Sequence, residues 1–317
     1  MSEFSPGLVT VFGGSGFVGA QVVRALAKRG WRVRVAVRRP GLAYDLKPLG
    51  DVGQIQTVRC DIADEAAVAD ALRGASAAVN LVGILYETPG RKFQAVHVDG
   101  ARRIAEACAA AGIDRLVQVS AIGAKPDSNA AYARSKAEAE MVVRKVKPDA
   151  VVVRPSIVFG AGDDFLNRFA ALAAIAPALP LIGGGQTKFQ PVYVGDVAEA
   201  IARAVVRIDA AGRTFELGGP AVMTFEAVLK LILRETNRSR ALIPLPFFAA
   251  RMIGNLAQLT ALVGIAPVLT ADQVEMLKTD TVVSPDSEAI APAYLWRYRR
   301  GGQFAESPAM RDAVTAQ

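Results

Sequence analysis

Histidine is almost missing from these 317 residues: there is one, His97. There are two cysteines, Cys60 and Cys108, one in a strand-like run and one in a helical run. Neither forms a pair or a metal-ligand spacing, so the sequence predicts two buried, reduced thiols and no metal site. Aromatic residues make up only 7%, and no basic run is interleaved with them. With no zinc spacing or RNA-binding signature either, nucleic acid is not an expected partner. A spanning helix needs about 20 unbroken apolar residues. The apolar stretch Leu245–Leu269, with the single charge Arg251, is interrupted by Pro246, Gly254, Asn255, Gln258, Thr260, Gly264 and Pro267. It reads as a buried pair of short helices or as an interfacial or partner-facing hairpin, ahead of a true span. The opening MSEFSPG has no basic n-region, and the following LVTVF is too short for a signal peptide, which predicts a reducing, cytoplasmic setting.

What is present is 52% hydrophobic residues and a net charge of +7, most of that excess within residues 1–150. A basic first half suits an anionic cofactor or an anionic membrane surface. Short β-rich runs occur at Leu8–Phe12, Arg32–Val37, Ile55–Arg59, Ala77–Val82, Leu116–Ser120 and Ala150–Arg154. Helical spacing lies between them at Val18–Lys28, Glu65–Leu72, Phe93–Ala111 and Tyr132–Val146. Such alternation predicts an α/β fold, a Rossmann-type doubly wound parallel sheet covered on both faces. Beyond Pro155 the pattern loosens. Asp196–Arg207 and Thr224–Thr236 read as helices, the latter capped by Thr224, and Thr214–Leu217 as a strand. Expected domains are therefore a dinucleotide-binding unit over 1–155 and a smaller C-terminal lobe over 156–317. That lobe interleaves with the last sheet elements and ends in a docking tail.

Gly13-Gly14-Ser15-Gly16-Phe17-Val18-Gly19 follows the first strand and opens the first helix. Gly13 permits a tight turn, Gly16 lets backbone approach a pyrophosphate, and Gly19 lets helix pack on strand. The helix N–H groups then face the phosphates. After the second strand come Arg38 and Arg39, where NAD-preferring sites place an acidic residue. Two guanidinium forks suit a 2′-phosphate, so NADPH is expected ahead of NAD. Asp61, just after the third strand, is placed to accept from an adenine amino group.

Ser120 ends a strand, and Tyr132 and Lys136, four apart, share a helix face. A lysine ammonium beside the ribose lowers a phenol from its usual value of about 10, which makes Tyr132 an acid or base. Ser120 would hold a substrate carbonyl or hydroxyl. His97, at the start of the fourth helix, reads as a structural polar residue.

These residues resemble the extended and atypical short-chain dehydrogenase/reductase superfamily, as do Asn80-Leu81-Val82-Gly83, Arg154-Pro155-Ser156 and Gln190-Pro191-Val192-Tyr193-Val194-Gly195-Asp196. His97 departs from that pattern, since many such enzymes carry asparagine there. Leu269–Lys278 and Pro292–Arg300 resemble one branch, the bacterial nucleotide-binding accessory subunit of respiratory complex I, NADH:quinone oxidoreductase. The resemblance implies a structural NADPH held by Gly13, Gly16, Gly19, Arg38, Asp61, Tyr132 and Lys136; Ser15, Phe17, Arg39, Leu81, Val82, Gly83 and Pro155 complete the expected cofactor site. It also implies docking among complex I subunits near the membrane-proximal quinone region, peripheral on the cytoplasmic face of the inner membrane; the arginines of Tyr294–Arg300 would meet acidic partner groups or an anionic lipid surface. The Ser120, Tyr132 and Lys136 set equally fits the alternative, a free NADP-dependent reductase, epimerase or dehydratase.

Overall fold

A computed structural model describes residues 6–258, 267 and 269–284. In chain order the first half runs β1 (Leu8–Phe12), α1 (Phe17–Ala27), β2 (Arg32–Val37), β3 (Ile55–Arg59), α2 (Glu65–Leu72) and β4 (Ala77–Asn80). A π-helical turn, Gln94–Asp99, then leads into α3 (Gly100–Ala110), β5 (Arg115–Val119), α4 (Ala131–Val146) and β6 (Val151–Pro155). The remainder comprises β7 (Val158–Phe159), α5 (Leu166–Ile175), β8 (Ala178–Ile182), β9 (Lys188–Phe189), β10 (Val192–Tyr193), α6 (Val194–Val206), β11 (Thr214–Leu217), β12 (Met223–Thr224), α7 (Phe225–Glu235), β13 (Ala241–Leu245), α8 (Phe247–Gln258) and α9 (Ala271–Met276).

Seven strands form one sheet in the order β11-β6-β5-β4-β1-β2-β3, every pairing parallel. The apolar runs of the strands are explained by burial from both sides. On one face Val22, Val23 and Leu26 of α1 and Val197, Ile201 and Val205 of α6 close over Val9 and Val11. On the other, Leu72, Ile104, Cys108 and Val143 cover Phe12, Ala78 and Leu116. A separate apolar cluster, with Leu179, Phe189, Phe225, Leu229 and Val274, joins α5, α7, β8 and α9. Strand order reverses beside β1, so the C-terminal ends of β1 and β4 diverge into the crevice where open α/β sheets bind ligands.

Some boundaries differ from the sequence pattern for local reasons. β4 stops at Asn80, whose amide donates to Gln118 (2.9 Å) and whose oxygen accepts from the Val82 N–H (3.1 Å). Ser120 lies one residue beyond β5 but still donates its N–H to Val153 (2.7 Å). Within the 245–269 stretch, α8 has Phe248, Met252, Ile253 and Leu256 exposed and only Ala250 and Gly254 buried. No helix among the described residues is long and apolar enough to cross a membrane. The Tyr294–Arg300 cluster lies outside the described residues.

The helix predicted over Phe93–Ala111 begins as the π-helical turn, and His97 sits inside it, 2% exposed. Its Nε2 accepts from the Ile84 N–H (3.0 Å), and Nδ1 lies 2.8 Å from the Ser135 hydroxyl, which donates to the Tyr132 carbonyl (2.7 Å). With that hydroxyl proton committed, Nδ1 carries the imidazole hydrogen and the ring is neutral. Burial first, and then the Lys136 charge, push its pKa down to about 2. An unfolded histidine titrates near 6.5. The neutral ring thus contributes stability that is whole above about pH 6.5 and is lost as pH falls toward the folded value, at about 1.4 kcal/mol per pH unit. Denaturant unfolding of wild type and His97→Gln between about pH 8 and about pH 5 should show the wild type losing more stability on the acid side. Parallel pH profiles would contradict this account of His97.

Candidate functional site at the β1–β4 crevice

The crevice begins at the turn after β1. Gly13 has φ +77°, and a Cβ there would lie 3.1 Å from the Val82 nitrogen. Gly19 is the close approach: a Cβ would fall 2.3 Å from the Gly13 carbonyl oxygen, so α1 can lie against the turn only without a side chain. At Gly16 the protein makes no such demand, since a Cβ would meet only the Gly13 oxygen at 3.4 Å. Gly16 is exposed and begins α1 without a capping side chain. This open cradle over an uncapped helix N-terminus fits a pyrophosphate. Ser15 is exposed on the same turn, and Phe17 is half-buried beside Gly160.

At one end of the crevice Arg38 and Arg39 are exposed after β2. Asp61 follows β3 and accepts from the Ala63 N–H (3.0 Å) through one oxygen. Arg91 was not found from sequence. It is half-buried in the Thr88–Arg91 turn, and its guanidinium makes no hydrogen bond or ion pair among the described residues. Its pKa is lowered by burial and by Arg38, against a smaller opposing effect of Asp61. Two guanidinium groups near one another with a single carboxylate favour an added anion. No periodicity or motif marks Arg91; only the fold carries that loop to β2 and β3.

At the other end Lys136 lies by the Tyr132 ring and reaches the carbonyl of Val119, the residue before Ser120. The Ser120 hydroxyl is buried without a hydrogen-bond partner among the described residues, and such a polar atom fits a site meant for a ligand. Lys136 is buried, with Nζ 3.4 Å from the Val119 carbonyl and 5.8 Å from the Tyr132 ring centroid. A Cβ on Gly83 would come within 3.3 Å of that Nζ and 3.5 Å of His97 Nε2, placing the Leu81–Gly83 backbone between the glycine turn and the lysine. Pro155 ends β6 and accepts from the Ile122 N–H (3.0 Å). Phe93 and His97 pack on Tyr132, at ring separations of 5.9 and 5.5 Å.

The electrostatics differ from the sequence expectation. Tyr132 is pushed up to about 12, by burial first and then by the Asp272 carboxylate. Lys136 is itself lowered to about 8 by burial, which the nearby Glu140 partly opposes. An ammonium over the ring stabilises phenolate less than one at the oxygen would. Asp272 lies 140 residues away in sequence, and nothing in its local pattern marks it. It accepts from the backbone N–H groups of Ala131 (2.6 Å) and Tyr132 (3.0 Å). The residues present fit a nicotinamide dinucleotide: phosphates at Gly13–Gly19, an adenosine end at Arg38, Arg39 and Asp61, and a ribose end at Tyr132 and Lys136. When bound, such a group supplies hydride chemistry.

Residues 9–218 match the model of the NAD dependent epimerase/dehydratase family. NADH dehydrogenase (ubiquinone) 1 alpha subcomplex subunit 9, mitochondrial, of Rattus norvegicus is 37% identical over 289 residues, 90% of this chain and 75% of that protein. A ceramide reductase of Caulobacter vibrioides is 34% identical over 198 residues, 62% of this chain and 61% of that protein. Among solved structures, the UDP-glucose 4-epimerase of Thermus thermophilus in complex with NAD shares the fold, with a TM-score of 0.61, 24% identity, and coverage of 75% of this chain and 86% of that one. The glycine turn, the reversal of strand order and a likeness running past the sheet into the C-terminal third lead to one assignment: this chain belongs to the NAD dependent epimerase/dehydratase family, in the branch of the alpha subcomplex subunit 9 of NADH dehydrogenase.

Proposed function

We propose that the protein is an NADPH-holding accessory subunit of respiratory complex I in which the dinucleotide is structural. The observation that carries this reading is the likeness to the alpha subcomplex subunit 9 of NADH dehydrogenase, which covers 90% of this chain; the state of Tyr132 agrees with it. Its phenol is held far above neutral pH, Asp272 adds negative charge beside it, and Phe93 and His97 pack on its ring. A general acid or base works best with a pKa near the working pH, and this environment moves the group away from it. Gly16 and the uncapped start of α1 bind pyrophosphate in this reading, Lys136 and Tyr132 hold ribose, and Arg38 with Arg39 takes a 2′-phosphate. The absence of a carboxylate after β2 supports NADPH over NAD.

Docking rests on the C-terminal third. Phe248, Met252 and Leu256 recur every fourth residue and form one exposed apolar stripe on α8, with Ile253 and Arg251 beside it. That stripe fits a site among complex I subunits near the membrane-proximal quinone region, peripheral on the cytoplasmic face of the inner membrane. Arg251 there, and the Tyr294–Arg300 tail, would meet anionic headgroups or acidic partner groups. A second reading, a free NADP-dependent reductase, epimerase or dehydratase, is favoured by the retained Ser120, Tyr132 and Lys136 set and by the likeness to the ceramide reductase.

Three experiments test the proposal. Nucleotide released from denatured protein should be NADP(H) at about one per chain, and Arg38→Asp should weaken its binding tenfold or more, one charge-assisted bond being worth ~1.5–3 kcal/mol. Stoichiometric NAD instead would overturn the cofactor choice. Tyr132→Phe, compared at saturating nucleotide, should leave respiratory NADH oxidation per assembled complex at wild-type level. Lost oxidation in an assembled, nucleotide-loaded complex would favour the enzyme reading. The double change Phe248→Glu and Met252→Glu should leave nucleotide bound but shift the protein from the membrane-associated complex to the soluble fraction, each buried apolar side chain being worth ~1.5–3 kcal/mol. Normal co-sedimentation of that variant would remove α8 from the docking surface.

A further inference from the structure

α4 carries both Tyr132 and Lys136, yet it begins without a cap of its own. Its N-cap is Ala130, which offers no side-chain acceptor. The acceptor comes instead from the C-terminal segment, where the Asp272 carboxylate takes one oxygen to the Ala131 N–H and the other to the Tyr132 N–H. A carboxylate there makes charge-assisted bonds and also complements the positive end of the helix dipole. Asp272 is fixed in turn by a reciprocal capping box at the start of α9, with Thr270 and Gln273 each accepting from the other's backbone N–H at 3.1 Å. The same start of α9 packs on α8, where a Cβ at Gly254 would fall 2.7 Å from the Ala271 nitrogen.

A second set of bonds ties the segment's other end to the same helix. The Ser284 N–H donates to Glu216 (2.9 Å), Glu216 lies 3.5 Å from Arg154, and Arg154 pairs with Glu140 (2.6 Å), one turn along α4 from Lys136. Between the two ends, the Thr281 carbonyl accepts from the Ser156 hydroxyl (2.7 Å). Residues 270–284 therefore hold the start of α4 directly through Asp272 and reach Glu140, beyond Lys136, through Glu216 and Arg154, and α9 leans on the helix that carries the exposed apolar stripe.

We infer that Asp272 is a positioning residue that couples occupancy of the nucleotide site to the seating of residues 270–284, and through Gly254 to α8. The inference rests on the nucleotide reading above. Nucleotide held by Tyr132 and Lys136 favours the α4 position that Asp272 caps. By linkage, a seated C-terminal segment must then raise nucleotide affinity by the same factor that nucleotide stabilises the segment. Cofactor loading and the presentation of the α8 face are then linked, so a loaded subunit holds its docking surface in seated form more often than an empty one.

The test uses the full-length protein with NADPH as probe. Hydrogen exchange of wild type should slow across residues 270–284 when NADPH is added, although the segment lies outside the proposed nucleotide contacts. Asp272→Ala should abolish that NADPH-dependent protection and raise the NADPH dissociation constant roughly tenfold. Asp272→Asn keeps an acceptor at the same place without the charge, and should restore part of both effects. If Asp272→Ala is destabilised but retains wild-type affinity and NADPH-dependent protection, Asp272 is only a fold contact and the coupling is wrong. Wild type that binds NADPH without slowed exchange at 270–284 overturns the coupling even if no variant can be purified. Wild type that binds neither NADPH nor NADH removes the nucleotide reading and the coupling with it, so the two failures are distinguishable.

Discussion

The constraint on which the rest depends is the contact between α1 and the turn that precedes it. Gly19 faces the Gly13 carbonyl with no room for a single methyl group. This closeness sets the first helix directly over β1, with its N-terminus at the carboxyl end of the sheet. It also brings Val22, Val23 and Leu26 onto the buried valines of β1. α6 packs beside α1 on the same face, and the crevice opens at the end of β1, which pairs with β2 on one side and β4 on the other. A side chain at position 19 would push the helix outward, so a steric limit of one atom fixes both the core and the site.

A line of buried and half-buried charge runs from the site to the last described residues. Lys136 sits near Glu140, Glu140 pairs with Arg154, Arg154 also meets Glu216, and Glu216 accepts from Ser284. Breaking a buried ion pair is costly because it leaves a charge uncompensated in a poorly solvating interior. The line is therefore less a source of net stability than a device that permits one arrangement of β6, α4 and β11. Its effect at the site is electrostatic. Glu140 moderates the loss of charge on Lys136, while Asp272 at the other end of the helix opposes ionisation of Tyr132.

The C-terminal third divides its apolar residues between two uses. Val274 and Ala250 join the cluster around Phe225 and Phe189, which gives α5, α7 and α9 a core separate from that of the sheet. Phe248, Met252 and Leu256 take no part in it and face outward. One twelve-residue helix cannot both fill a core and leave such a stripe exposed unless its inner face is narrow. Gly254 meets that need by letting the backbone of α9 come against α8.

How much of this was legible in the sequence follows from the range of the forces involved. Strand and helix placement in residues 8–155 was readable because side-chain periodicity reports burial within a few residues. The glycines at 13, 16 and 19 were readable because the turn is built from seven consecutive positions, and the Tyr132–Lys136 pair because four residues span one helical turn. Beyond that range the sequence was silent or misleading. It placed a lysine near a tyrosine and implied a lowered phenol, but the pKa of Tyr132 depends on how deeply other elements bury it and on Asp272 arriving from another helix. It gave no reason to single out Arg91, whose significance comes from a loop folding back to Arg38. It offered His97 as a structural polar residue without the Ile84 and Ser135 partners that fix its neutral form. The sequence by itself determined the sheet, the glycine turn and the set of candidate side chains, because those are local. Only the tertiary structure decided their charge states and their link to the C-terminal segment, because desolvation and ion pairing depend on whatever lies within a few ångströms in space, however distant in the chain.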